Sequence, residues 1–121
     1  MISQKFRFHG HASLKYVFTN GVSAHSKLFT IKCVSNPRRE TPRVAVIVGK
    51  KVFKSAVKRN RIRRRVYEIT RPFLASMPVI DMVISIYSPE VLMATSDELK
   101  IQLIPLLNQI SSKQGSANNL K

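Results

Sequence analysis

The side chains that could carry chemistry fall into two unequal groups. Six carboxylates, Glu40, Glu68, Asp81, Glu90, Asp97 and Glu98, are scattered over 121 residues, against 21 lysines and arginines. The formal charge is +15 and the pI is near 10.9. A protein nuclease needs acids clustered on a metal, or a nucleophile beside its base. The nearest approach is Asp81 with Glu98 and Lys100, an acid followed by Glu-x-Lys, but Glu98 already completes a capping box with Thr95. His9 and His11 could ligate a metal at alternate positions, yet no acid or cysteine is near them in sequence and His25 lies across a turn. Cys33 is the only cysteine, sits in an apolar strand pattern and has no base in view. The sequence therefore predicts no catalytic group, no metal site and no cofactor in the protein itself.

The cations are another matter. The segment KRNRIRRRVYEITR, Lys58 to Arg71, holds six arginines and one lysine, with Glu68 as the sole acid. Basic runs are usually solvated helix faces of alternating sign. From Arg43 to Arg71, however, the chain has eleven basic residues and one acid, and close like charges cost stability. Arginine outnumbers lysine, which suits bidentate contacts to phosphate and stacking on bases. At about 100° per residue, Ile62, Val66, Ile69 and Phe73 form an apolar floor. Asn60, Arg64, Tyr67 and Arg71 fall opposite it as an outward row. Arg59 and Arg63 flank that row on one side; Arg61, Arg65 and Glu68 flank it on the other. Lys50, Lys51 and Lys54 charge the loop that feeds the helix, whose unpaired N-terminal amides can also hold an anion. A polyanion is the expected partner.

These residues need a scaffold. HASLKYVFTNG reads as a short first helix with Leu14, Val17 and Phe18 on one face and Gly21 suited to a left-handed cap. SKLFTIKCV alternates as a strand, and RVAVIVG is apolar at nearly every position from Val44 to Val48, like a strand covered on both faces. These two are expected to pair antiparallel, with one more short strand near Val22 to His25. Ser55 caps the basic helix, and Pro72 discourages it from passing Arg71. DMVISIYS is a further buried strand. Behind the capping box, Leu99, Leu103, Leu106 and Ile110 stripe a last helix that Pro105 should kink. The result is one small α+β domain over residues 1–112, with 113–121 as a flexible polar tail.

The segment VIVGKKVFKSAVKRNRIRRRVYE resembles the signature of the protein component of bacterial ribonuclease P. The match includes the Arg59, Asn60, Arg61 triplet with Arg63, Arg64 and Glu68 downstream. RFHGHASLKYVFTNG is similar to that family's first helix, and DMVISI to its last strand. The resemblance implies an αβββαβα sandwich of the ribonuclease P protein-like (ribosomal protein S5 domain 2-like) class, with a left-handed βαβ crossover against the usual rule. It implies that Lys50, Lys51, Lys54, Lys58, Arg59, Asn60, Arg61, Arg63, Arg64, Tyr67 and Arg71 bind the catalytic RNA. It also implies that a cleft between first helix, sheet and last helix holds the 5′ leader of precursor tRNA, at Leu14, Phe18 and Lys32. Catalysis and its Mg²⁺ would belong to the partner RNA, and the protein would assist leader removal as a subunit of the endoribonuclease.

Some positions depart from the family pattern. Leu14 and Lys32 stand where aromatics are common, Gly49 replaces a frequent serine, and Phe53 a frequent glycine. Tyr67 replaces a frequent arginine and is expected to stack where relatives pair with phosphate. The rival reading is a ribosomal or other RNA-binding scaffold protein, which has no reason to carry the Arg-Asn-Arg segment after a Lys-Lys loop. A DNA-reading helix-turn-helix needs a helix immediately upstream, where VAVIVG reads as strand. No apolar run approaches the ~20 residues of a membrane span, and MISQKFRFHG lacks the apolar core of a signal peptide. The expected setting is cytoplasmic, without membrane or DNA.

Overall fold

The computed structural model describes residues 16–19, 21–35, 41–49 and 53–119, the last nine as backbone only. His9, His11, Leu14, Glu40, Lys50 and Lys51 lie outside the described residues. Residues 16–19 are helical. Then come β1 (Val22–His25), β2 (Phe29–Ser35), β3 (Arg43–Val48), α1 (Ala56–Leu74), β4 (Ile80–Ile86), a single turn α2 (Glu90–Met93) and α3 (Ser96–Asn119).

The four strands form one sheet in the order β1-β2-β4-β3. β2 pairs antiparallel with β1, Val22 opposite Cys33, and with β4, Phe29 opposite Ile86. β3 and β4 are parallel, Arg43 opposite Asp81. The expected antiparallel β2–β3 pair does not form, because β4 inserts between them. Its composition explains the choice: all seven β4 residues are buried, and full burial of an aliphatic side chain stabilises by about 1.5–3 kcal/mol. The strand with the most to bury takes the centre, and β3 is left at an edge.

Alternation sorts the sheet into two faces. Ile31, Cys33, Val44, Val46, Met82 and Ile84 point to one, where α1 and α3 cover them through Ile62, Val66, Leu99, Leu103 and Leu107. The other face carries Lys32, Arg43 and Asp81, plus a small cluster of Val17, Ala45 and Val83. The segment 16–19 ends as Gly21 N–H donates to the Val17 carbonyl at 2.8 Å. Gly21 serves close approach rather than a left-handed cap: a Cβ there would stand 2.5 Å from the Val17 oxygen and 2.7 Å from that of Cys33.

Both helix starts follow their sequence signals. Ser55 Oγ accepts from the Lys58 N–H at 3.3 Å, and Thr95 Oγ1 from the Glu98 N–H at 3.1 Å. The helix ends do not. α1 passes Pro72 and stops after Leu74. The proline removes one backbone hydrogen bond close to the terminus, and burial of Leu74 with partial burial of Phe73 offsets it. In α3, Pro105 is exposed and does not end the element, which runs to Asn119. That is further than the polar composition of 113–121 suggests, since an established helix gains one bond for each residue added.

A candidate nucleic-acid interface on the first long helix

α1 packs against β3 and α3, and the contact fixes how it is rolled. Its buried residues are Ile62, Val66, Tyr67, Thr70 and Leu74, with Ile69 and Phe73 only half-buried. Compared with the arc drawn through Ile62, Val66, Ile69 and Phe73, the helix is turned by roughly 65°. Two polar side chains make the turn possible. The Thr70 hydroxyl donates to the Val66 carbonyl at 2.8 Å, so it enters the core already satisfied. The Tyr67 hydroxyl oxygen accepts from the Val46 N–H at 3.3 Å, on the open edge of β3.

Tyr67 is therefore misplaced in the outward row. It is 8% exposed and belongs to the main core, where it covers an edge-strand amide that would otherwise face the helix unpaired. An angular count ranks a tyrosine as surface because it cannot see which strand amide lacks a partner.

The remaining cations separate into tied and free. Arg59 donates through Nη1 to the Phe53 and Lys54 carbonyls, at 2.7 and 2.9 Å, and so pins the loop ahead of the helix. Arg63 Nη1 donates to Asn60 Oδ1 at 2.7 Å, joining two of the predicted residues into one fork. Arg65 Nη2 donates to the Ala94 carbonyl at 2.7 Å and ties α1 to the α2–α3 junction. Glu68 pairs with Arg71 at 3.1 Å, on exposed side chains, not with Arg61 or Arg65. Among the described residues, Lys54, Lys58, Arg61 and Arg64 are exposed and their side chains have no partner. With Asn60 and Arg71, they make a cationic face along the solvent side of α1.

On the other sheet face, Phe18 and Lys32 come together. Lys32 Nζ lies 5.7 Å from the Phe18 ring centroid and donates to the Phe18 carbonyl at 3.2 Å. The last helix does not border this pair. α3 packs on the opposite face of the sheet, because alternation in β2 sends Ile31 and Cys33 toward it and Lys32 away.

The acid-plus-Glu-x-Lys pattern does not assemble. Both Asp81 oxygens accept from Arg43, from Nε at 2.8 Å and Nη2 at 2.9 Å, across the β3–β4 register. This hydrogen bonding to Asp81 raises the Arg43 pKa above its ordinary value against the desolvation of a half-buried site. Glu98 sits instead in the first turn of α3. No cluster of three or more metal-capable side chains occurs among the described residues. None of the described helices is long and apolar enough to cross a membrane.

Fold and surface together define a small α+β protein that lays a cationic helix across one side of a four-stranded sheet. Comparison with known proteins places that class. The family model Ribonuclease P matches residues 2–111, and the chain belongs to this family. The Ribonuclease P protein component of Chloroflexus aggregans is 42% identical over 77 residues, covering 63% of this chain and 56% of that protein. Its counterpart from Prochlorococcus marinus is 36% identical over 78 residues, covering 55% and 61%. The matches thus span a little over half the length of these curated relatives. Among solved structures, the RNase P protein of Staphylococcus aureus superposes with a TM-score of 0.78 at 19% identity, covering 88% of this chain and 97% of that one. That of Thermotoga maritima gives 0.75 at 22% identity, covering 86% and 96%. At these identities the likeness is one of fold.

Proposed function

We propose that the chain is the RNA-binding protein subunit of ribonuclease P. It binds the catalytic RNA through the solvent face of α1 and supports Mg²⁺-dependent removal of the 5′ leader from precursor tRNA, with the hydrolytic groups in the RNA. The observation that carries this reading is the division of the basic helix. Arg59, Arg63 and Arg65 have hydrogen-bond acceptors within the protein, while Lys58, Arg61 and Arg64 stand exposed without one among the described residues. A helix that spends three cations on its own architecture and leaves three beside them uncompensated is built for an external polyanion. Arginine forks suit the phosphates of a folded RNA.

Leader binding belongs on the opposite sheet face, at Phe18 and Lys32. Lys32 Nζ lies over the Phe18 ring and competes with a base for it, so this site leans on charge more than on base stacking. The test is reconstitution. Mixed with a bacterial ribonuclease P RNA at low Mg²⁺, the protein is expected to stimulate leader removal. Binding of the RNA without stimulation would favour a scaffold role; no binding would overturn the reading.

A further inference from the structure

Between α1 and the first turns of α3 the surface opens into a groove of about 400 Å³, within the roughly 300–1,000 Å³ of ordinary ligand sites. Its floor is apolar. Ile69 is half-buried there and Leu99 lies beneath it, fully buried. The helix turned by Tyr67 and Thr70 explains why Ile69 reaches the groove instead of the core centre. Arg65 does not fill the space, because its guanidinium is drawn to the Ala94 carbonyl at 2.7 Å. Arg64 and Lys100 frame the groove from opposite helices, both exposed and both without a partner among the described residues. Glu68 completes the wall, its carboxylate held by Arg71 at 3.1 Å.

An apolar floor between two free cations, with an oriented acceptor at the side, matches one ligand chemistry closely. A nucleotide out of its helix has a flat face to lay on an aliphatic side chain, a backbone phosphate on either side and N–H groups on the base edge. A paired base keeps its faces stacked and its Watson–Crick edge occupied, so it cannot lie on the floor in this way. We propose that the groove takes a single unpaired nucleotide of the RNA that α1 binds, with its base on Ile69, a flanking phosphate between Arg64 and Lys100, and a base N–H donating to Glu68. This rests on the RNA-binding reading and extends it. Arg64 belongs to both the solvent face of α1 and the groove, so the RNA-contacting surface continues from one helix onto the next. Lys100, which the sequence offered only within the acid-plus-Glu-x-Lys pattern, becomes part of it.

The experiment uses the full chain bound to a ribonuclease P RNA. An iron chelate that generates hydroxyl radicals is attached at Ser96→Cys, on the groove wall. A second is attached at Val57→Cys, exposed near the start of α1. Cys33 is buried and stays unlabelled. Cuts from Ser96→Cys are expected within a few nucleotides of an unpaired position. In a separate titration, Lys100→Ala should lower the slope of log affinity against log salt by about 1. Cuts from Val57→Cys alone, with an unchanged slope for Lys100→Ala, would leave RNA binding standing and overturn the groove assignment. Cuts from Ser96→Cys confined to duplex would overturn it as well. No cuts from either position would overturn the RNA-binding reading itself.

Discussion

Replacing Tyr67 with phenylalanine removes one oxygen and tests how α1 is rolled. That oxygen accepts the Val46 N–H at the open edge of β3, at 3.3 Å. Without it the amide is left unpaired beneath the helix, at a cost of about 1–3 kcal/mol. A bond at the long end of the range belongs at the low end of that cost, about 1 kcal/mol. Unfolding entropy near 2.1 cal/mol/K per residue gives ~0.25 kcal/mol/K for a chain of this length, so Tm should fall by about 4 °C. Tyr67→Arg asks more of the same site. It places a cation where the native residue is 8% exposed, and an uncompensated buried charge costs ~3 kcal/mol or more. Its Tm should fall by ~12 °C. The assay is thermal unfolding by circular dichroism, with RNA affinity measured well below either Tm. For Tyr67→Phe, affinity should stay within about twofold. An unchanged Tm with weakened RNA binding would put the hydroxyl on the RNA surface and refute the packing.

Other perturbations separate the roles within the basic helix and the sheet. Arg65→Ala loses a charge-assisted bond to Ala94 and should cost about 1.5–3 kcal/mol of stability; Arg64→Ala should leave Tm unchanged and reduce the salt slope of RNA binding by about 1. Reversed results would mean the tied and free arginines have been exchanged. Sulfate or phosphate should raise Tm well beyond chloride at equal ionic strength, because an anion bound only by the native state stabilises it by mass action; coincident melting curves would count against an anion-hungry surface. Lys32→Tyr takes a cation off the Phe18 ring and should make leader affinity less dependent on salt; equal slopes for the two proteins would remove Lys32 from the leader site.

Much of the fold was legible because burial leaves a period in the sequence. The alternation in β2, the apolar run Val44 to Val48 in β3, the mostly apolar β4 with Asp81 and Ser85 inside it, and the caps at Ser55 and Thr95 each mark an element where the structure has one. Strand partners were not legible. Alternation says which face a side chain takes but not which neighbour it meets, so the sequence pairs β2 with β3, whereas in the sheet β4 lies between them. Of the interface, Asn60, Arg61, Arg64 and Arg71 are on the solvent side as read. Tyr67 is not, because its burial answers a need of β3, twenty-one positions away in sequence. Arg59 and Arg65 were counted as surplus charge, yet their acceptors are backbone carbonyls, and any residue supplies one of those. Only tertiary placement distinguishes an arginine that serves the protein from one left for a partner.

The strand order also sets a sequence of events. β4 is the third-last element along the chain, yet it lies between β2 and β3. A growing polypeptide that ends before Ile80 already contains every arginine of α1 but has no strand to join its two halves. β2 could pair only with β1, and β3 would have no strand beside it. The basic helix is the connection that spans the gap; β3 can hold it through Tyr67, but its place relative to β1 and β2 is set only when β4 closes the sheet and α3 settles across it. Binding competence is thereby linked to near completion of the domain. A ribosome-bound fragment with the full positive charge should hold RNA loosely and without register, and truncation anywhere upstream of Ile86 should abolish specific binding while leaving the cations intact.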